Sequence, residues 1–439
     1  MSGSADLLSF AVGAGVNFSV HFVGDLYLSD ALLLLALPAL VLLRGGRALV
    51  SGLRTVYILL GTWLLGLVIS DAYNHTAILD RLRGTAQITF FGLNILALSI
   101  LLAPNERRKV LYFIGMALGA LASVKLQPSE FAEDYAWKFG YAWGVMLLVL
   151  LIASFFYSRR AYLFSALLLL GLCGVNLMMN FRSPILMLML TLAMVYPIIP
   201  EQIGGLRFLP QSPLPRLLLI AILAVVAAAA ADASVQFVTK AGYVNESAQE
   251  KNVSQQRAGN LLLGGRPEFT IGLRAALDSP IIGHGSWAKD MKYFEMLTDA
   301  QVESGELDYE RDPENFEGLP LIPGHSHIIT AWVWAGIAGV IFWGYMASFC
   351  VKGIVRVTML RPPLAPIYAW SLMSMFWDIF FSPFGASRRT IEAALIVIVA
   401  ELMKHKVNVV KPAWRRMGAR REPLLAMQVR RGSTPAGLR

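Results

Sequence analysis

The chain has 439 residues, of which 56% are hydrophobic and only 15% are charged, whereas a soluble domain usually carries about a quarter charged residues. This composition excludes an ordinary soluble domain and predicts a protein embedded in a bilayer. The formal net charge is +9, but the basic residues lie between apolar runs, so they indicate contact with membrane lipids and not with nucleic acid.

Apolar segments long enough to cross a bilayer follow one another along most of the chain. Crossing about 30 Å of hydrocarbon takes about 20 residues. The predicted spans are residues 6–24, 26–43, 55–71, 85–103, 109–125, 140–157, 162–180, 184–200, 215–234, 326–350, 364–382 and 389–404. The start, MSGSADLLSF, lacks the basic region and cleavage site of a signal peptide, so we expect the first segment to stay in the membrane. The predicted fold is an all-α polytopic membrane protein of about 12 transmembrane helices.

The short loops differ in charge, and this difference predicts the orientation. With the N-terminus inside, the inner loops carry thirteen basic residues and the outer loops only seven. The inner ones are Arg44, Arg47, Arg54, Arg107, Arg108, Lys109, Arg159, Arg160, Arg207, Arg216, Lys352, Arg356 and Arg361. The outer ones are Arg81, Arg83, Lys125, Lys138, Arg182, Arg388 and Arg389. Both termini are therefore predicted to be cytoplasmic, as an even number of spans also requires.

The tail, residues 405–439, contains the basic runs WRRMGARR and VRRG. Such a segment is typical of an anchor at an anionic membrane leaflet. A partner-binding peptide is the alternative.

One predicted outer loop, residues 235–324, is far longer than an ordinary connection and is therefore functional or disordered. It contains GGRPEFTIGLRAALDSP, in which Phe269, Leu273, Ala276 and Leu277 recur at helical spacing after Pro267. Pro280 and Gly283 end this run. We expect a short amphipathic helix on or near the membrane surface.

The same loop continues with the acidic stretch ESGELDYERDPENFEG. A calcium loop needs glycine at its sixth position, but counting from Asp308 places Pro313 there. No HExxH, paired CxxC or histidine triad occurs, and Cys173 and Cys350 lie in different apolar segments. The sequence therefore predicts no metal site and no disulfide framework.

Three predicted outer-face residues stand at the starts of helices, where free N–H groups attract anions. Arg182 lies in FRSP, where Ser183 is expected to cap the eighth span and Pro184 to occupy its first position. Arg266 directly precedes Pro267, and His325 precedes Ser326 and the tenth span. The arginines are candidate phosphate ligands. The alternative is that they reach lipid phosphates and that His325 only caps a loop.

These segments resemble the O-antigen ligase and O-antigen polymerase superfamily. GHSHIITAWVWAGIAGVIFW is similar to its histidine-and-glycine motif, with His325 and Gly336 at the family spacing. NFRSPILMLML resembles its outer Ser/Arg element, and GGRPEFTIGLRAALDSPIIGHGSWA resembles its element of an arginine, a helix and PxxGxG. The chain departs from the family where many members have a His-Asn pair, because here Ser326 follows His325 and a second histidine, His327, comes next.

The resemblance implies a metal-independent, inverting glycosyltransferase without a cofactor at the periplasmic face of a bacterial inner membrane. Its implied donor is a glycan on undecaprenyl pyrophosphate, and its implied acceptor is lipid A-core oligosaccharide. His325 is the implied general base, with His327 as the alternative. Arg182 and Arg266 are the implied pyrophosphate ligands. Further candidates for phosphate contacts are Arg257, Arg274, Arg388 and Arg389.

Two alternative functions stay open. An O-antigen polymerase would use a carrier-linked repeat as the acceptor. A lipid-linked glycan transporter would place ionisable groups near the bilayer midplane, whereas Asp232, Asp378 and Glu392 are predicted to lie toward outer helix ends.

Overall fold

The chain folds as an all-α membrane protein in the computed structural model. The structure describes residues 2–21, 24–44, 52–103, 105–128, 135–179, 181–196, 267–303 and 320–405, together with a few isolated positions. The described helices are α1 Ser2–Gly15, α2 Leu28–Arg44, α3 Arg54–Tyr73, α4 Ile78–Leu101, α5 Glu106–Leu126, α6 Ala142–Ser158, α7 Tyr162–Met178, α8 Arg182–Val195, α9 Pro267–Asp278, α10 Met291–Glu303, α11 His327–Ala335, α12 Ile337–Leu360, α13 Ala365–Phe381 and α14 Ala386–Lys404. A π-helical turn, Trp137–Tyr141, leads into α6.

Five helical segments among the described residues are long and apolar enough to cross a bilayer. They are α3, α4, α5, the continuous stretch Trp137–Ser158 and α12. Shorter apolar helices occur at Leu28–Leu42, Tyr162–Met178 and Arg182–Val195. The predicted total of about 12 spans stays a prediction. The ninth predicted span, residues 215–234, and the basic tail beyond residue 405 lie outside the described ranges.

Two predicted spans are shortened or interrupted in the structure. The first, residues 6–24, ends early: α1 stops at Gly15, and strands Ser19–His21 and Asp25–Tyr27 then pair antiparallel. The tenth, residues 326–350, is broken at Gly336, whose φ of 60° separates α11 from α12. A break of this kind cannot be seen in a continuous apolar run, because apolar residues indicate that a segment is buried but not where its backbone changes direction.

The fourth predicted span also begins earlier than expected, at Ile78 instead of residue 85. Its first turns carry charge, which lowers the apolar signal. Asp80 accepts hydrogen bonds from Arg83 at 3.2 Å and from Lys289 at 2.9 Å. The helix therefore extends beyond its apolar part because these ion pairs neutralise its charged start.

The described helices share two recognisable ends. One, here called the motif end, contains the paired strands Ser19–His21 and Asp25–Tyr27, here called the hairpin, together with Pro280–Lys289, Ser326–His327 and Ser382–Arg389. Contacts such as the one from Arg389 to the Asp25 carbonyl join these segments. The other, here called the arginine end, contains Arg107, Arg108, Arg160 and Arg361. There Asp6 contacts Arg107 at 3.2 Å and Arg108 at 3.3 Å, and Glu106 accepts from Tyr368 at 3.2 Å.

Helices α1 and α5 pack at backbone distance along Gly115 and Gly119. A methyl group at Gly115 would overlap the Phe10 carbonyl, and one at Gly119 would overlap Ala14. In a bilayer, apolar helices gain nothing from leaving lipid for each other, so close packing through small residues drives their association. This GxxxG spacing fixes α1 against the bundle.

Candidate active site at the motif end

The Pro280–Gly285 loop fills the break between α11 and α12. Its backbone N–H groups at His284 and Gly285 donate to the carbonyls of Val333 and Trp334 at 2.6 and 3.2 Å. In return, the Ile337 N–H donates to the Ile281 carbonyl at 3.3 Å, and the Trp332 indole donates to the Pro280 carbonyl at 2.9 Å. The loop therefore satisfies backbone groups that a helix break would leave unpaired. Two of the motif segments thus form one structural unit.

Glycine is needed at both sides of this contact. Gly283 has a φ of +84° and Gly336 a φ of +60°, a region that L side chains rarely adopt. A Cβ at Gly283 would lie 2.7 Å from the Gly336 nitrogen. Only two glycines allow the backbones to approach this closely.

Helix α9 forms at the position that the apolar spacing predicts, and it packs on α11. Its residues Ile271, Ala275 and Ala276 form a buried cluster with Ile329 and Val333. Phe269, in its first turn, contacts Phe381 at the end of α13, with ring centroids 6.2 Å apart. The start of α9 therefore lies at the motif end. Helix α10, which follows it, was not predicted.

The two candidate histidines have opposite surroundings. Ser326 caps α11: its hydroxyl accepts from the Ile329 N–H at 3.2 Å and donates to the Ile379 carbonyl at 2.9 Å. His325 precedes this cap and is exposed. His327 has no solvent exposure and contacts the rings of Trp343 and Phe384.

Both ring nitrogens of His327 have partners. Nδ1 lies 2.5 Å from the Ser382 carbonyl oxygen, and since a carbonyl only accepts, Nδ1 carries a proton. Nε2 lies 2.5 Å from Oε1 of Glu392. In this arrangement His327 has no nitrogen left for a substrate hydroxyl, whereas the exposed His325 ring can meet one.

Glu392 borders a cavity between α5, α6, α13 and α14. The cavity is narrow: its interior volume is about 10 Å³, enough for about one water molecule. Arg388 and Asp378 also line it and form an ion pair with an N–O distance of 2.9 Å. The Arg388 guanidinium lies 6.0 Å from the ring centroid of Trp143. The remaining lining residues are Tyr112, Phe113, Met116, Ser371, Ser374, Met375, Ile391, Ala394 and Leu395.

Arg389 belongs to a different, buried polar network. Its Nη2 donates to Asp30 at 2.5 Å and to the Asp25 carbonyl at 2.9 Å. Asn94 donates to the other oxygen of Asp30 at 2.7 Å and to the Thr390 hydroxyl at 3.0 Å. The network ties the hairpin, α2, α4 and α14 together. In this arrangement the Arg389 charge is matched by Asp30.

Arg182 is the first residue of α8 and is half-buried. The expected cap at Ser183 is wrong: the helix begins one residue earlier, Phe181 occupies the capping position, and no side chain caps the end. Pro184 fits within the first turn because the N–H groups there have no helical partner. Helix α8 packs on α13. Tyr196, which follows the last residue of α8, contacts Ser165 and Tyr157 near the arginine end, so the first residue of α8, Arg182, lies toward the motif end.

The other predicted arginines divide between exposed and undescribed positions. Arg274 is largely exposed and lies 3.4 Å from Asp278 on the same helix. Arg266 and Arg257 lie outside the described residues. The structure therefore brings His325, His327 and Arg388 to the motif end with Arg182.

Glu392 and Asp378 are the site residues that sequence reasoning missed. The sequence indicates them only as carboxylates near outer helix ends. An ionisable side chain in an apolar helix is costly to bury. Asp378 is the one carboxylate in α13, and Glu392 directly precedes the long apolar run of α14. This cost was the one feature of the sequence that could have identified the two carboxylates as functional candidates. The partners that compensate it, His327 and Arg388, are identified only by the fold.

Comparison with known protein families, with curated proteins and with solved structures finds no match to this chain.

Proposed function

We propose that this protein is an inverting glycosyltransferase of the O-antigen ligase type. It would transfer a glycan from undecaprenyl pyrophosphate to a hydroxyl of lipid A-core oligosaccharide, at the periplasmic face of a bacterial inner membrane. The observation that carries the proposal is the docking of the Pro280–Gly285 loop onto the α11–α12 break. This contact joins two motif segments and holds α9 beside the helix that His325 precedes.

In the proposed reaction, the acceptor hydroxyl oxygen attacks the anomeric carbon of the donor sugar. The bond from that carbon to the pyrophosphate oxygen breaks, and the hydroxyl proton passes to His325. Attack from the side opposite the leaving group inverts the anomeric centre. The exposure of His325 at the capped start of α11 supports this role, because both nitrogens of His327 are occupied.

Negative charge grows on the leaving pyrophosphate in the transition state. Arg182 and Arg266 are proposed to stabilise it with charge-assisted hydrogen bonds. Arg257 is a further candidate. Arg388 and Arg389 already have acidic partners in Asp378 and Asp30, so we assign them no contact with the donor. Because pyrophosphate is a good leaving group, the reaction needs no nucleotide and no added metal.

The test is a reconstituted reaction. Purified protein in lipid nanodiscs is incubated with carrier-linked glycan and lipid A-core, in EDTA and without nucleotide, and products are separated by gel. The proposal predicts lipid A-core capped with glycan. Glycan extended only on its own carrier would indicate the polymerase alternative, and a strict need for Mg²⁺ would contradict leaving-group stabilisation by arginines alone.

A transporter or flippase is the second candidate, and the buried His327–Glu392 pair favours it. Paired ionisable groups inside membrane helices are typical of proton-coupled transport. The same preparation in proteoliposomes separates the two functions. A transporter would move a fluorescent carrier-linked glycan across the bilayer and leave its anomeric bond intact.

A further inference from the structure

Two turns at the arginine end, α6–α7 and α12–α13, each carry an arginine in the left-handed backbone region. Arg160 has a φ of 62° and Arg361 a φ of 49°, and they are two of the four non-glycine residues with positive φ in the part of the chain that the structure describes. Glycine or asparagine usually occupies such a position after a helix, because a Cβ is unfavourable there. The turns themselves therefore do not explain the two arginine side chains, and a strained position of this kind points to a role for their charge.

The two turns meet at Tyr157, near the end of α6. The Arg160 N–H donates to the Tyr157 carbonyl at 3.0 Å, and the Arg361 side chain is near enough to interact electrostatically with the Tyr157 phenol. Tyr157 packs edge-on against Tyr162 and Tyr196, with ring centroids 5.2 and 5.7 Å apart. Both arginines therefore lie beside one packed tyrosine.

These positive charges are not neutralised within the described ranges. Arg159, Arg160 and Arg361 are exposed, and they form no ion pair with another described residue. The acidic residues described at the arginine end already have basic partners, in the pairs Asp6–Arg107, Asp6–Arg108, Glu106–Lys109 and Glu401–Lys404. Three arginines without acidic partners indicate an anionic ligand, and the guanidinium group matches a phosphate with two parallel hydrogen bonds.

The surface beside these arginines is apolar and exposed. The Arg159 guanidinium lies 5.2 Å from the centroid of the Phe155 ring, as is typical of a side chain whose stem follows apolar surface while its charge stays at the bilayer edge. Phe155 and Ile152 are exposed on α6, and Phe164 and Leu167 are exposed on α7. A free phosphate would use only the charged part of this surface, whereas a phospholipid would use both parts.

We propose that the α6–α7 and α12–α13 turns bind an anionic phospholipid from the leaflet that surrounds the arginine end. Arg160 and Arg361 contact the lipid phosphate, and Arg159 adds a third positive charge. The acyl chains lie along Phe155 and Phe164. This site is independent of the proposed glycosyltransferase, because it lies at the opposite end of the molecule and involves neither donor nor acceptor.

Binding is measured on the full-length protein in a neutral detergent, by following its melting temperature during titration with phosphatidylglycerol. A ligand that binds only the folded state raises the melting temperature, so we expect a saturable rise. Phosphatidylcholine, which has no net charge, should give a much smaller rise. Glycerol 3-phosphate, which has a phosphate but no acyl chains, should give none. A melting temperature that phosphatidylglycerol leaves unchanged, or that glycerol 3-phosphate raises equally, would overturn the lipid site.

The variant that tests the two arginines is Arg160→Gly with Arg361→Gly. It removes both guanidinium groups and gives each turn the residue that its backbone favours, so its melting temperature without lipid should be at least that of wild type. Each basic residue near an anionic headgroup strengthens binding about fivefold, so phosphatidylglycerol should bind this variant about 30-fold more weakly. Arg160→Lys with Arg361→Lys keeps both charges and should bind more tightly than the glycine variant. Unchanged affinity in the glycine variant would contradict the proposal.

Arg54→Gln with Lys352→Gln is the matched control, because it removes the same net charge from exposed positions at the arginine end. Its affinity for phosphatidylglycerol should equal that of wild type. An equal loss in the control and in the glycine variant would overturn the site, since any two charges at this end would then suffice. If the glycine variant does not fold, Arg361→Gln alone is compared with Lys352→Gln alone, and equal affinities of these two would overturn the site.

Discussion

His325 and His327 lie two positions apart at the start of α11, but only His325 is exposed. The His325 ring lies on the solvent side of the Ser326 cap, whereas the His327 ring packs against Trp343 and Phe384. The motif spacing in the sequence favoured His325 and left His327 as the alternative. The separation depends on Glu392 and the Ser382 carbonyl, which belong to another part of the chain.

The two histidines should therefore fail in different ways when replaced. His325→Ala removes the proposed base without touching the core, so transfer should fall by about 10²- to 10⁴-fold while thermal stability is unchanged. His327→Ala leaves Glu392 buried without its partner, and breaking a buried pair in this way typically lowers the free energy of unfolding by about 3–5 kcal/mol. Transfer rates and melting temperatures in nanodiscs measure both effects. Full activity of His325→Ala would show that it is not the base.

Replacing Arg182 should weaken binding of the glycan donor and leave binding of the acceptor unchanged. Arg182→Ala removes a proposed donor of hydrogen bonds to the pyrophosphate, and such a loss costs about 2.7–4 kcal/mol of transition-state stabilisation. We expect weaker binding of carrier-linked glycan as well as slower transfer. His325→Ala is the matched control, because its donor affinity should equal that of wild type. Unchanged donor binding in Arg182→Ala would remove the residue from the phosphate site.

At the scale of elements, the helix break at Gly336 organises the motif end. The apolar run of residues 326–350 predicted one continuous helix, because hydrophobicity reports burial along the whole segment. The break depends on the Pro280–Gly285 loop, whose backbone groups pair with the interrupted helix. The helix over Pro267–Asp278 was predictable because its apolar spacing lies within one short segment. Its packing against α11 was not predictable, because α11 lies about 50 residues further along the chain.

Gly283→Ala tests whether this contact supports the site. The new methyl group would lie 2.7 Å from the Gly336 nitrogen at a φ of +84°, and we expect a loss of about 1–3 kcal/mol in stability. Transfer should fall with it. Gly344→Ala is the control, because a Cβ there meets no atom within 4 Å. Equal melting temperatures and activities for both variants would show that the loop contact is dispensable.

The contact between α9 and α10 should depend on pH. Hydrogen bonds from Lys292 and Tyr293 lower the pKa of the Asp278 carboxyl below its ordinary value. A group whose pKa is lowered by folding stabilises the fold above its unfolded pKa, and this contribution is lost as the pH falls through the folded pKa. The protection of residues 267–303 against hydrogen exchange, taken relative to the intrinsic exchange rate at each pH, should therefore fall below about pH 4, the ordinary value for Asp.

Asp278→Asn is the control for this pH effect. Its side chain does not titrate, so the protection of residues 267–303, taken relative to the intrinsic rate, should already be reduced at pH 6 and should change little on acidification. If wild type and Asp278→Asn respond identically to pH, another group controls the contact.

At the scale of the molecule, the chain crosses between two chemically different ends. The described start of the chain lies at the arginine end, because Asp6 contacts Arg107 and Arg108 there. Helix α14 begins at the motif end and finishes near Gly52, where a Cβ would lie 3.8 Å from the Lys404 side chain. The alternation of the predicted spans places Arg107, Arg108, Arg160 and Arg361 at one end, as the structure does, whereas the orientation predicted from their positive charge stays a prediction.

The motif end is expected to face the periplasm and the arginine end the cytoplasm. This claim is central, because a carrier-linked donor and lipid A-core meet only outside the cytoplasm in the proposed reaction. It is tested by two single cysteines in a chain whose Cys173 and Cys350 are replaced by alanine. His325→Cys marks the motif end, and Arg160→Cys, also exposed, marks the arginine end.

The measurement is labelling of whole cells with a membrane-impermeant maleimide after the outer membrane is permeabilised. The orientation proposed here predicts that His325→Cys is labelled in intact cells and that Arg160→Cys is labelled only after lysis of the inner membrane. Labelling of Arg160→Cys in intact cells, with His325→Cys protected until lysis, would contradict it and place the candidate active site in the cytoplasm.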